Sequence, residues 1–255
     1  MPKKPIILHT DHFVNKKVTF SFAKGIGGEI IHVDQIKNYD NPIATYGRLR
    51  GTGEAIKKSK EFWYIDHGYF NASKRTFAEN RTFMNNFDGY FRIVHNNFWH
   101  YGQGSCKTDR LNKLNIKFKT QRKYGDYIIL SEPAEVTVKY YKLNDWVNKT
   151  IKEIKKYSDR KIIKHNKHSP VKLMDLLKNA WAFVSDHSNA GLMAMTNGVP
   201  SHYTNKTLQK ISSIKEIESS EINYNIFPNL AYGQWTLKEM ESGEAWEFLQ
   251  KDLIK

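Results

Sequence analysis

The sequence predicts an α/β protein in which two lobes are each built on a parallel sheet. In the second half of the chain, apolar strands alternate with amphipathic helices, an order typical of parallel sheets with helical crossovers. Residues 44–70 show the same strand, helix, strand order in the first half. A chain of 255 residues, 40% of them apolar, can bury two cores. We place the boundary in the polar, basic stretch near residue 124, which predicts lobes 1–124 and 125–255.

The first lobe contains two recognisable segments. Apolar residues alternate along residues 18–28, which predicts a strand that runs into a glycine-rich turn. Residues 44–70 predict a strand, a turn at Gly51 and Gly53, a basic helix and a second strand that ends near Asp66. The aromatic and polar stretch of residues 71–107 has weak periodicity, so no element is predicted there.

The second lobe reads as three strand and helix pairs. Strands are predicted at residues 127–133, 160–166 and 181–186. The helices between and after them are predicted at 145–157, at 170–180 behind a Ser169 cap, and at 190–198, which Gly198 ends. Residues 234–253 predict one or two amphipathic helices that cross back over the body of the protein. Because parallel strands carry their sites at their carboxyl ends, the segments after these strands hold the candidate residues.

Cysteine content and hydropathy exclude several classes of protein. The single cysteine, Cys106, allows no intramolecular disulfide and no cysteine-rich zinc cluster. No apolar run approaches the roughly 18 residues of a membrane span, and the start does not resemble a secretory signal. We therefore expect a soluble, cytoplasmic protein. His165 and His168 have no third ligand nearby, so no metal site is predicted.

The positive charge is concentrated in the first half of the chain. The net charge is +14; residues 1–125 hold 22 Lys+Arg against 10 Asp+Glu, and the remainder holds 18 against 16. A solvated basic face is the plain interpretation, but the asymmetry favours an acidic partner for the first lobe, and nucleic acid is the obvious one. The predicted DNA contacts are Arg48, Arg50, Lys57, Lys58, Lys74 and Arg75.

The segment WAFVSDHSNAGLMAMTNGVPSH (residues 181–202) is the most informative in the chain. It resembles the donor-binding segment of GT-B glycosyltransferases and of the related nucleotide-sugar 2-epimerases, in which a serine-containing turn after a strand holds the diphosphate. The resemblance is good over residues 127–202 and implies a GT-B-like architecture of two Rossmann-like lobes. It places Asp186, His187, Ser188 and Asn189 in the diphosphate turn, with Gly198–Pro200 as the matching Gly-x-Pro. These families carry a ribose-binding Glu about five residues after the Ser, where this chain has Met193.

The same resemblance implies roles for residues outside the turn. A first lobe of this kind binds the acceptor and supplies the general base, for which Asp66 and His67 are the candidates. Lys164 and Lys167 would stabilise the departing diphosphate. The plain alternatives are that Asp186 or Ser188 only caps a helix and that His67 only bonds to the backbone.

These residues lead to a functional hypothesis. We expect a nucleotide-sugar-dependent glycosyltransferase, with the nucleotide sugar as co-substrate and no further cofactor. The leading acceptor is a hydroxylated base in DNA, turned out of the stack, as in bacteriophage enzymes that mask their genomes. The alternatives are a glycosyltransferase or 2-epimerase of polysaccharide precursors, and a non-catalytic GT-B-like protein that binds nucleic acid. The sequence does not predict the sugar, the nucleotide, the stereochemical outcome or the oligomeric state.

Overall fold

A computed structural model describes residues 3–77, 83–100 and 104–253, with the side chains of 74–86 and 252–253 outside the description. The chain divides into two compact units: unit 1 is Met1–His100 with Asn229–Lys255, and unit 2 is Tyr101–Pro228. Each unit contains a sheet with parallel strands and helices, so the predicted α/β class is confirmed. Within the described residues, no helix combines the length and apolar character needed to cross a membrane.

Unit 1 is built on a six-stranded sheet with the strand order β12-β7-β4-β3-β1-β2. The strands β1 to β4 are parallel, whereas β7 and β12 run antiparallel to their neighbours. The hairpin β5-β6 is separate from this sheet. The elements are β1 (Ile6–His9), α1 (Phe13–Ile26), β2 (Ile30–His32), β3 (Ile43–Tyr46), α2 (Thr52–Lys58), β4 (Phe62–His67), β5 (Lys74–Phe77), β6 (Phe83–Asn86), β7 (Phe91–His95), β12 (Gln234–Trp235), α9 (Leu237–Glu241) and α10 (Glu244–Leu253).

The predicted strand at residues 18–28 is wrong, because this segment lies in helix α1. Val14, Val18 and Phe22 are four residues apart, share one helix face and are buried, while Phe20 is exposed. The alternation of Val18, Phe20 and Phe22 therefore reflected one exposed aromatic residue and not a sheet face. The helix ends at Gly27, which adopts a left-handed conformation with φ of 59°.

Unit 2 is built on a four-stranded, fully parallel sheet with the strand order β11-β10-β8-β9. The three predicted strands are confirmed, and so are the helices at 145–157 and 190–198. The predicted helix at 170–180 is shorter than expected, because α6 occupies four residues and begins after Lys172. The elements are α3 (Asp109–Lys113), β8 (Tyr127–Ser131), α4 (Glu135–Tyr141), α5 (Trp146–Ile154), β9 (Lys161–His165), α6 (Leu173–Leu176), β10 (Ala180–Ser185), α7 (Ala190–Thr196) and β11 (Ser201–Tyr203), with α8 (Ile226–Tyr232) leading back to unit 1.

The six-stranded sheet and the four-stranded sheet are each covered on two faces. In unit 2, Ile128, Leu130 and Val184 pack with Trp146 and Ile154 of α5, while Ile129 and Phe183 pack on the opposite face with residues of α7. Two-sided burial explains why the inner strands β8 and β10 are continuous apolar runs rather than alternating ones. The carboxyl ends of the strands are the part of the sheet that the helices leave open for a site.

The boundary between the units differs from the predicted one at residue 124. Residues 229–253 belong to unit 1, since Trp235, Met240 and Trp246 are buried in its core and Trp246 lies 5.2 Å from Trp63, ring centre to ring centre. Residues 104–124 belong to unit 2, where the N–H of Lys119 bonds to a carbonyl of α7. The helices predicted to cross back therefore form part of the first unit, not of the second.

The corrected boundary reverses the charge asymmetry. Unit 1 contains 18 Lys+Arg against 14 Asp+Glu, a net charge of +4, whereas unit 2 contains 22 against 12, a net charge of +10. The basic segment at residues 104–124 moves into unit 2, and the acidic tail moves into unit 1. The excess positive charge that favoured DNA as a partner of the first lobe lies mainly in the second unit.

Candidate functional site

A cavity of about 800 Å³ opens in unit 2 at the carboxyl ends of its strands. Ser131, the last residue of β8, is paired with Ser185 at the end of β10 and with His165 at the end of β9. The segments that follow these three strands therefore meet around one space. Those segments supply most of its lining, which includes Ser131, Glu132, Glu135, His165, Asn166, Lys167, His168, Ser185, Asp186, His187, Ser188 and Ala190.

A chain of hydrogen bonds orients His187 at this cavity. The indole N–H of Trp146 donates to Thr204 Oγ1 at 2.7 Å, and the Thr204 hydroxyl donates to Asp186 Oδ1 at 2.7 Å. The other oxygen of Asp186, Oδ2, lies 2.5 Å from His187 Nδ1. Because a carboxylate only accepts, Nδ1 carries the proton that is shared in this contact. Asp186 is buried, and it holds the His187 ring edge-on to Tyr141 with the ring centres 5.3 Å apart.

The Ser188 turn differs in one respect from the expected phosphate turn. Two N–H groups at the turn are used locally: the Ser188 N–H donates to Ser185 Oγ at 3.2 Å and the Ala190 N–H donates to Ser188 Oγ at 3.2 Å. Asn189 begins α7 and does not line the cavity. A phosphate in this cavity would therefore depend on side chains more than on the backbone of the turn.

Cationic groups reach the cavity from the loop after β9. Lys167 and His168 line it, and the loop is held in shape by Asn166, whose side chain accepts a bond from the His168 N–H at 2.9 Å. Lys167 forms no ion pair or hydrogen bond with the residues that the structure describes. Lys164 is exposed on β9 and is not part of the lining, so only Lys167 of the two predicted lysines is placed at the cavity.

Glu132 is a lining residue that the sequence analysis missed. It follows the central strand β8, is half-buried, and its Oε2 accepts a bond from the Asn166 side-chain amide at 2.8 Å. Among the described residues no cation pairs with this carboxylate and no donor reaches Oε1. The signal was present in the sequence, because Ser131-Glu132-Pro133 ends an apolar strand at the edge where sites form. Met193, by contrast, is 44% exposed and does not line the cavity.

In unit 1, the predicted base Asp66 is held in a structural ion pair. Its Oδ2 accepts bonds from the Tyr64 hydroxyl at 2.6 Å and from Arg92 Nη2 at 3.1 Å, and its Oδ1 accepts from the His67 N–H at 2.8 Å. Burial by itself raises the pKa of Asp66, but the Arg92 guanidinium and these hydrogen bonds outweigh it and leave the pKa below its ordinary value. Buried Arg92 lies over the rings of Tyr64 and Tyr69.

His67, the second predicted base, is at the carboxyl end of β4 beside this ion pair. Its Nε2 lies 3.3 Å from the Tyr46 hydroxyl, and its ring stacks on Phe91 with the ring centres 6.3 Å apart. Both oxygens of Asp66 are engaged by strong donors, so this carboxylate is a poor proton acceptor.

The predicted DNA contacts whose side chains are described lie at two different ends of the strands of unit 1. Arg48 and Arg50 follow β3 at the carboxyl edge of the sheet, and Arg48 lies 5.5 Å above the Phe98 ring. Lys57 and Lys58 end helix α2, which returns the chain to the opposite edge where β4 begins, and Lys57 pairs with Glu54 at 2.7 Å. Lys74 and Arg75 lie in β5, where side chains are outside the described part of the structure.

Comparisons with known proteins give similarity to solved structures but not to a protein family. No protein-family model matches the chain, and no curated protein matches it. The fold is similar to that of Thermosulfurimonas dismutans KpsC, a beta Kdo 2,4 transferase. The TM-score is 0.47 and the sequence identity 9%, over 90% of this chain and 91% of that chain.

Proposed function

We propose that the chain is a nucleotide-sugar-dependent glycosyltransferase whose donor binds in the cavity of unit 2. The observation that carries this proposal is the convergence of three strand ends on one cavity, which is lined on one side by Asp186, His187 and Ser188 and on the other by Lys167 and His168. Open parallel sheets bind nucleotides at this edge. The similarity of residues 181–202 to GT-B donor segments supports the same ligand.

Each side of the cavity has a defined part in this proposal. The Lys167 ammonium and the imidazole of His168 offer positive or hydrogen-bonding groups to the phosphates of the donor. His187 is fixed in orientation by buried Asp186, so that it meets a ligand without a large loss of side-chain freedom. When the glycosidic bond to the phosphate breaks, negative charge grows on the leaving diphosphate, and these groups stabilise that charge.

Proton transfer from the acceptor is assigned in this proposal to unit 1. An acceptor hydroxyl needs a base within hydrogen-bond reach, and His67 is the candidate there. With the net charge of unit 1 at +4, a glycan hydroxyl has as much support as a hydroxylated base in DNA. A DNA acceptor therefore stays a proposal whose test is separate from that of the donor.

The donor is tested by a thermal-shift screen of nucleoside diphosphates, nucleoside monophosphates and their sugar conjugates, followed by calorimetry of any compound that stabilises the protein. Saturating ligand at 100 times its Kd should stabilise the protein by about 2.7 kcal/mol. If no nucleotide or nucleotide sugar shifts the melting temperature, the donor proposal fails. A donor that is bound but never hydrolysed or transferred would instead indicate a non-catalytic binding protein.

The acceptor is tested by transfer assays with DNA that carries hydroxymethylated bases and with oligosaccharides. His67→Ala should lower turnover while leaving donor affinity unchanged, and Asp66→Asn should act mainly on stability. If DNA is the acceptor, binding to DNA should weaken steeply between low and physiological salt. A flat salt response would exclude an acceptor that is gripped through its phosphates.

A further inference from the structure

We infer that Glu132 binds the ribose of the donor nucleotide and makes the cavity selective for ribonucleotides over deoxyribonucleotides. This inference rests on the proposed function. It gives a role to Glu132, a residue that the proposed function does not otherwise use.

The position of Glu132 supports this role. It follows β8, which lies between β10 and β9, so its carboxylate stands between the Ser188 turn and the loop that carries Lys167. The Glu132 N–H donates to the His165 carbonyl at 2.9 Å, which ties its backbone to the end of β9. The side-chain amide of Asn166 donates to Oε2 at 2.8 Å and restricts the rotation of the carboxylate. A ligand therefore meets a carboxylate whose position is already set.

The charge of Glu132 narrows the kind of group it can bind. Unit 2 contains 22 Lys+Arg, yet in the described part of the structure none of them pairs with Glu132. A half-buried carboxylate without a cation has a strong demand for hydrogen-bond donors. It repels phosphate, so within a nucleotide it must face a neutral part of the ligand that carries donors. The vicinal hydroxyls of ribose are such a pair, and the two oxygens of one carboxylate can accept from both.

Another carboxylate at the same cavity provides a matched control. Glu135 also lines the cavity, but its side chain is 79% exposed and pairs with Lys139 at 2.7 Å. Because the charge of Glu135 is already compensated by Lys139 and its side chain is solvated, Glu135 should contribute little to ligand binding. A change at Glu135 removes the same charge from the same region without removing the proposed ribose contact.

The experiment compares wild type, Glu132→Gln, Glu132→Ala and Glu135→Gln by calorimetry. The ligands are ADP, GDP, UDP and CDP, their 2′-deoxy and 3′-deoxy counterparts, and inorganic pyrophosphate. For the nucleotide that binds wild type best, loss of the charged hydrogen bonds should weaken binding about 10- to 100-fold in Glu132→Ala. Each deoxy nucleotide keeps one of the two hydroxyls, so it should bind wild type more weakly than the ribonucleotide and should lose less affinity than the ribonucleotide in Glu132→Ala. Glu135→Gln should bind like wild type.

The outcomes separate this inference from the proposed function. If wild type binds a nucleotide and both Glu132 variants bind it equally well, or if wild type does not discriminate against the deoxy compounds, the ribose role is overturned and the donor proposal stands. If wild type binds no nucleotide, both fail together. Pyrophosphate should lose no affinity in any of the variants, since it offers no hydrogen-bond donor to a carboxylate and is repelled by its charge. Circular dichroism and the melting temperature show that each variant is folded.

Discussion

Asp66 and Glu132 both lie at the C-terminal end of a strand, but their carboxylates differ in their hydrogen-bond and ion-pair partners. In unit 1, Asp66 accepts from Tyr64, Arg92 and the His67 backbone, and its charge is compensated by a buried guanidinium. In unit 2, Glu132 accepts from one neutral amide and, within the described residues, meets no cation. Both residues follow the same sequence rule, since each stands at the end of a predicted strand. A carboxylate whose two oxygens both accept hydrogen bonds within the protein has a structural role. A carboxylate with only one oxygen engaged is available to a ligand.

The Asp186–His187 pair lies between these extremes. Asp186 is buried and bonded to Thr204 and His187, as a structural carboxylate would be, but the imidazole it orients lines a cavity. The same arrangement of a buried acid behind a histidine fixes imidazoles in many sites. In the proposed function, Asp186 therefore positions the imidazole ring and His187 meets the donor.

The largest expected effect in this comparison comes from removing the cation of unit 1. Arg92→Ala leaves the Asp66 carboxylate without its guanidinium partner in a largely buried place and should lower the free energy of unfolding by about 3 kcal/mol. Chemical denaturation monitored by circular dichroism measures it. Lys139→Ala, which removes the exposed partner of Glu135, is the control and should change stability little. Equal effects of the two changes would contradict the structural role of Asp66.

A smaller loss of stability is expected at low pH. Because the folded pKa of Asp66 is below its ordinary value of 3.8, its stabilising contribution is complete above that value and is lost as the pH falls through the folded pKa. The melting temperature of wild type should therefore drop below about pH 4, and Asp66→Asn should flatten part of this drop. Asp159→Asn, at an exposed position in unit 2, controls for the change in net charge. If the melting temperature of Asp66→Asn falls with pH as steeply as that of wild type, a group other than Asp66 causes the sensitivity to acid.

Changes at the cavity of unit 2 should act on binding rather than on folding. His187→Ala and Asp186→Asn should each weaken binding of the nucleotide sugar about tenfold, which corresponds to roughly 1.4 kcal/mol. His187→Ala removes the imidazole that meets the ligand. Asp186→Asn removes the carboxylate that orients this imidazole. His95→Ala, at a histidine of unit 1 that lies 3.0 Å from Glu61, should leave the affinity unchanged. Donor affinity that survives both cavity changes would exclude the Asp186–His187 pair from the site.

The smallest expected effect belongs to Met193. Met193→Ala should change nucleotide affinity by less than about twofold, because the side chain is solvent-exposed on α7 and outside the cavity lining. Titration by calorimetry, run beside the Glu132 variants, measures this difference. A large loss at Met193 would return the ribose contact to the place that the GT-B resemblance expects.

Much of unit 2 could be predicted from the sequence because its signals are local. The continuous apolar run of residues 180–184 is typical of a buried strand, and Gly198 with φ of 79° ends α7 as the pattern indicated. The helix α1 was missed for a physical reason, since a three-residue alternation fits both a strand and a helix with one exposed aromatic residue. The boundary predicted at residue 124 differs from the observed one because it was placed from the polarity of one short segment. The packing of Trp246 on Trp63, which joins residues far apart in the chain, could not be seen in that segment.

By itself, the sequence determined the α/β class, most of the strands and helices of unit 2, and the three strand ends where charged residues collect. The spacing of apolar residues and the turn chemistry of Gly and Pro decide these features within a few residues of chain. Tertiary structure alone decided which unit holds the excess charge, that Arg92 pairs with Asp66, and that no cation among the described residues pairs with Glu132 at the cavity. These are properties of contacts between distant segments, and a charged side chain acquires its role from the partners that folding places beside it.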